Sequence, residues 1–98
     1  MNSLERERQK AKMYKEMYPV GTRVELISMG NDPRPIESGM RGTVDVVDDI
    51  GTIHCSFDNG RYLGIIPGED SFRKLTPEEI ETEKEELSQD NDAPVQTM

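Results

Sequence analysis

The tripeptide Asp58-Asn59-Gly60 lies between two runs of alternating apolar residues, Ile53/Cys55/Phe57 before it and Leu63/Ile65 after it. A short Asp/Asn/Gly turn between alternating runs makes a β-hairpin, and the loop length decides which residues oppose one another. A two-residue Asn-Gly loop sets Phe57 opposite Tyr62 and Cys55 opposite Gly64. A three-residue loop, with a type I turn and Gly60 in the left-handed conformation, pairs Cys55 with Leu63 and Ile53 with Ile65. Opposed residues share a face, so only the longer loop gathers the aliphatics. The sequence therefore predicts the three-residue loop.

The same period of two, with turn residues every 8–12 positions, runs from Pro19 to Leu75 and predicts a small all-β domain over residues 19–75. Its five strands are Arg23 to Met29, Gly42 to Val47 (Val44 and Val46 on one face), Thr52 to Phe57, Arg61 to Ile66, and Arg73 to Leu75. Between the first two, residues 30–39 contain Pro33 and Pro35, which interrupt any ladder and predict a long loop. Residues 1–18 read as an amphipathic helix. Asn2 with Glu5 three positions on is a capping signal, Leu4/Ala11/Tyr14/Tyr18 form one face, and Met13/Met17 lie beside it. A helix this short is marginal alone and needs a surface: either its Tyr/Met face packs on the following domain, or it is a partly ordered arm whose Arg6, Arg8, Lys10, Lys12 and Lys15 meet an acidic partner. After Leu75, Thr76-Pro77-Glu78-Glu79 is a strong helix start. The segment 76–98 that it opens is acidic and nearly without apolar residues, with Glu79/Glu83 and Glu81/Glu85 repelling at four-residue spacing. A short helix that frays into disorder from about Ser88 is therefore expected.

These elements describe a small five-stranded SH3-like barrel with an N-terminal helix and a flexible acidic tail. The stretches Gly21-Thr22-Arg23-Val24-Glu25-Leu26, Val47-Asp48-Asp49-Ile50-Gly51, Asp58-Asn59-Gly60 and Pro67-Gly68-Glu69-Asp70-Ser71-Phe72 extend the likeness. Together they resemble an uncharacterised family, a domain of unknown function, of short SH3-like barrel proteins from phages, prophages and mobile elements of Gram-positive bacteria. The resemblance implies the barrel and the preceding helix, and implies no activity.

Charge is segregated along the chain. The first 18 residues carry five Lys/Arg against three Glu, residues 19–75 six against nine acids, and residues 76–98 one lysine against eight acids. No apolar run approaches the ~18–20 residues of a membrane span, and no signal peptide opens the chain, so a soluble, cytoplasmic protein without membrane association is expected. One cysteine and one histidine provide neither a disulfide framework nor a Cys/His zinc site. His54 and Cys55 are adjacent in a strand, so their side chains leave opposite faces and form no catalytic pair. No calcium-loop spacing or phosphate cradle accompanies the acidic turns. The sequence thus predicts no enzyme, no catalytic residue, no metal and no cofactor.

A binding module is what remains, with a protein as the expected partner. Met29, Pro33, Pro35, Ile36 and Tyr62 are apolar residues that a five-stranded barrel has difficulty burying, and they are the candidate partner-binding residues. The same residues, Ile36 and the prolines above all, are equally suited to covering the open end of the barrel. The alternative is nucleic-acid binding through the cationic helix (Arg6, Arg8, Lys10, Lys12, Lys15) and the loop arginines Arg34 and Arg41, with Arg61, Arg73 and Lys74 nearby. The near-neutral central region, the competing acidic tail and the scarcity of aromatics weigh against it.

Overall fold

A computed structural model describes residues 2–30 and 32–96, with the side chains of the C-terminal helix described through Glu86. The elements run α1 (Ser3–Met17), β1 (Arg23–Ser28), β2 (Arg41–Val47), β3 (Ile53–Phe57), β4 (Tyr62–Ile65), β5 (Ser71–Lys74) and α2 (Pro77–Gln96). The strands form one antiparallel sheet in the order β4-β3-β2-β1-β5. The β3–β4 register pairs Ile53 with Ile65 and Cys55 with Leu63, and Gly60 has φ +88°. Gly60 N–H donates to the Phe57 carbonyl at 2.9 Å, and Phe57 N–H to that of Arg61 at 2.8 Å. The three-residue loop is therefore the one adopted.

The expectation of an all-β SH3-like barrel is corrected on two points. The molecule is a mixed α and β structure, and its sheet is open, because β4 and β5 are not paired with each other. β4 ends at Ile65, and Pro67, which has no N–H to donate, stands in the turn that leads to β5. The core is covered by side chains instead. Val24, Leu26, Val44, Val47, Ile53, Cys55, Phe57 and Ile65 are joined by Ile36 from the long loop, with Tyr14, Tyr18, Met29, Met40, Leu63 and Phe72 packed around them.

The alternation expected in the second strand also fails at one point. A β-bulge between Val44 and Val46 inserts Asp45, so Val44 and Val47 face the core while Val46 turns outward. A second irregularity lies between Leu26 and Ser28, and Ile27, next after the buried Leu26, faces outward as alternation requires.

α1 is capped as the sequence predicts, with Asn2 Oδ1 accepting from Glu5 N–H at 2.8 Å. Ala11 is its buried residue, and Tyr14 and Tyr18 continue the contact; the Tyr18 ring lies 5.2 Å from that of Phe72 and beneath the Lys74 ammonium. Leu4, Met13 and Met17 stay exposed. α2 starts on a reciprocal capping box: Thr76 N–H donates to Glu79 Oε1 at 2.9 Å and Glu79 N–H to Thr76 Oγ1 at 3.1 Å. The helix continues to Gln96, past Ser88 where the sequence predicts fraying into disorder.

Candidate functional site

The densest polar cluster stands on the outer face of β1, β2 and β5. Strand alternation places Arg23, Glu25, Arg41 and Arg73 there, and the register sets Glu25 directly between Arg41 on β2 and Arg73 on β5. Glu25 accepts from Arg41 Nε at 3.1 Å and from Arg73 Nη2 at 3.2 Å. Arg23 is held from the sheet side by Asp58, in a bidentate pair at 2.9 and 2.8 Å, and by Thr43 Oγ1 at 3.1 Å. Across this row lie the first turns of α2. Glu79 accepts from Arg73 at 2.8 and 2.7 Å and from Arg41 at 3.2 Å. Glu83, one turn on, accepts from Arg23 at 3.1 and 2.7 Å and from Arg41 at 3.2 Å.

The electrostatics reflect this geometry. The Arg73 guanidinium, helped by the Thr76 N–H, holds the Glu79 carboxyl down to about 2. Glu83 lies below the usual carboxylate range chiefly because of Arg23, and so does Asp58. The four-residue spacing of Glu79 and Glu83, which the sequence reads as repulsion, places two carboxylates one turn apart against three guanidiniums. Sequence reasoning missed Arg23, Glu25, Glu79 and Glu83 as a unit. A signal was available: Arg23, Glu25, Arg41 and Arg73 alternate with core residues in the first, second and fifth strands, and an i,i+4 glutamate pair comes after them.

A second surface lies where α1 crosses the β2–β3 turn. Gly51, at φ +87°, lets the turn approach the helix, so a side chain there would meet the Tyr14 ring at 3.4 Å and Ala11 Cα at 3.8 Å. Beside this contact is a cleft of about 590 Å³, lined by Leu4, Arg8, Ala11, Lys12, Lys15 and Ile50 together with Glu7 and Asp49. Leu4 is 54% exposed and Ile50 74%, so its apolar surface is open to solvent. Cations line the helix side, and Lys15 Nζ donates to Asp49 across the mouth at 2.7 Å.

The predicted partner-binding residues do not form one patch. Ile36 is 3% exposed and belongs to the core, and Met29 is half-buried with its sulfur accepting from Ile36 N–H at 3.4 Å. Loop closure thus takes Ile36 away from any binding surface. Pro33, Pro35 and Tyr62 remain exposed. Arg61 pins the loop by donating to the carbonyls of Arg34 at 2.8 Å and Pro35 at 3.4 Å. Of the candidate nucleic-acid residues, Arg6, Arg8, Lys10, Lys12, Lys15 and Arg34 are exposed. Arg41 is half-buried and engaged by Glu25, Glu79 and Glu83, so it is not an open loop cation.

The groups that carry chemistry are placed structurally. Burial pushes the Cys55 thiol up to about 12, with Asp45 adding to the effect. His54 points outward and its Nε2 lies 2.8 Å from Asp48 Oδ2. Asp48 also accepts from the N–H groups of Ile50 and Thr52, closing the β2–β3 turn. Desolvation works to raise the Asp48 carboxyl, but these hydrogen bonds together hold it below its ordinary value. Asp70 closes its own turn by accepting from Gly30 N–H at 2.7 Å and Ile66 N–H at 2.8 Å. Among the described residues no group of three His, Cys, Asp or Glu side chains is arranged to hold a metal, and no helix is long and apolar enough to cross a membrane.

Over residues 7–75 the sequence matches the family described as Domain of unknown function (DUF4314). The chain belongs to the DUF4314 family. The matched DUF4314 region takes in α1 from Glu7, all five strands and the three arginines of the outer face. α2, which supplies Glu79 and Glu83, lies beyond it. No curated protein matches the chain.

Proposed function

We propose that this protein is a non-enzymatic protein-interaction module, built on an SH3-like arrangement of strands, that grips an acidic, apolar-studded segment of a partner between α1 and the β2–β3 turn. The strand order supports that description of the fold, since β5 returns to pair with β1 beside a meander of β1 to β4. One observation carries the functional reading: the cleft of about 590 Å³ combines an exposed apolar surface, Leu4 and Ile50, with a cationic wall of Arg8, Lys12 and Lys15. Three cations stand there against Glu7 and Asp49, the latter already paired with Lys15, and exposed apolar side chains beside such a net positive rim fit a segment carrying apolar residues and negative charge. An accessory role in a phage or mobile element is the setting that the resemblance implies.

The test is amide chemical-shift mapping of the labelled full chain with an acidic amphipathic peptide of about 15 residues, long enough for four helical turns. Shifts are expected on Leu4, Arg8, Ala11, Lys12 and Ile50, and Leu4→Asp with Ile50→Asp should abolish them. Shifts that settle elsewhere, or that survive the double substitution, contradict the reading. A mixed-sequence oligonucleotide titrated in parallel tests nucleic-acid binding through α1: shifts on residues 6–15 that vanish steeply with salt would favour it instead.

A further inference from the structure

We propose that Arg23, Arg41 and Arg73 form a phosphodiester-binding face that α2 covers, so that the chain is self-inhibited towards single-stranded nucleic acid. The geometry of that face supports this. Arg41 and Arg73 flank Glu25 across β2, β1 and β5, Arg23 stands two residues along β1 on the same face, and Glu25, Asp58 and Thr43 orient the three from the sheet side. Their remaining N–H groups meet Glu79 and Glu83 of α2, and a guanidinium fork accepts phosphate oxygens in the same geometry as carboxylate oxygens.

The cover is held by charge. None of the described α2 side chains is buried, and only Glu79, Ile80 and Glu83 are even half-buried. The matched family region, residues 7–75, contains all three arginines and ends before α2 begins. Among the described residues, every member of the hydrophobic core likewise precedes α2. The described part of the helix thus adds to the domain without contributing a core residue.

Lifting the helix also changes the sign of the surface. With α2 seated, three arginines face four carboxylates: Glu25, Asp58, Glu79 and Glu83. With α2 away, three face two. A tethered strap acts at an effective concentration on the order of millimolar, so its competitor must present many anions at once. A nucleic-acid backbone, charged at every phosphate, does so more densely than an acidic peptide.

The experiment measures fluorescence anisotropy of a labelled single-stranded oligonucleotide of about 20 nucleotides, at low salt, against full-length variants. Glu79→Gln with Glu83→Gln should bind about tenfold more tightly than the parent, since each removes charge where it touches arginine. Glu81→Gln with Glu85→Gln changes the net charge equally on exposed positions and should have little effect. Adding Arg41→Ser to the first pair should remove the gain. Should the double variant lose its fold by circular dichroism, Glu83→Gln alone, which leaves the Thr76/Glu79 cap in place, should still bind more tightly than the parent. The proposal is overturned if the two glutamine pairs act alike, if neither tightens binding, or if the gain survives Arg41→Ser. It is also overturned if a polyglutamate peptide binds the relieved chain as well as the oligonucleotide does, a result that would mark the face as a site for acidic proteins.

Discussion

Gly60 and Gly42 are required for different reasons, and substitution separates them. Gly60 sits at φ +88° with open space where a Cβ would stand, so Gly60→Ala meets only backbone strain, about 1–2 kcal/mol. A Cβ at Gly42 would stand 2.9 Å from the Phe57 ring and 3.0 Å from the Ser56 carbonyl oxygen, so a methyl group there forces β2 and β3 apart. Gly42→Ala is expected to cost about 3 kcal/mol, near the upper end for overpacking. Urea-unfolding midpoints should rank the two in that order. Cys55 yields a second expectation. With its thiol pushed up to about 12 by burial, it should resist a disulfide reagent at pH 8 in the native chain and react on unfolding. The inward position of Cys55 was legible from alternation alone, because Ile53 and Phe57 flank it at a period of two.

Among the elements, those whose residues face the core were the most legible. The β3–β4 register came from one turn and five apolar residues, and both helix caps came from their side chains. The bulge at Asp45 did not: Val44, Val46 and Val47 are interchangeable as β-formers, and only the packing of the core chooses Val47 over Val46. The docking of α2 was hidden for a related reason. A sequence shows that Glu79 and Glu83 share a helix face but not what that face meets, and three arginines from three strands convert mutual repulsion into a shared grip. The cap can be tested apart from the grip. Thr76→Ala removes the hydroxyl that accepts from Glu79 N–H and should weaken α2 by about 1 kcal/mol. Faster amide exchange should then appear in residues 77–86 and not in the strands.

For the molecule as a whole, charge segregation along the chain becomes charge pairing in space. Among the described residues no ion pair joins the cationic α1 to the acidic α2. α2 turns to the arginines of the sheet, and α1 keeps exposed cations beside the cleft at the β2–β3 turn. Individual exposed ion pairs contribute only about 0–1 kcal/mol, so the seat of α2 depends on their acting together and on ionic strength. Its pH dependence has a definite sign. The Glu79 carboxyl is depressed from the ordinary 4.5 to about 2, so its contribution to the docked state is complete above the ordinary value and lost as pH falls through the depressed one. Acid should therefore release α2 between those limits while the apolar core, which contains no titrating side chain other than the Cys55 thiol, gives no direct signal there. The most direct measurement tracks the Glu79 side-chain carboxyl carbon by NMR as the full-length protein is acidified at low salt. A midpoint near 2 would establish that α2 is clamped on the arginine face, whereas titration near 4.5 would show that the helix stands free of it.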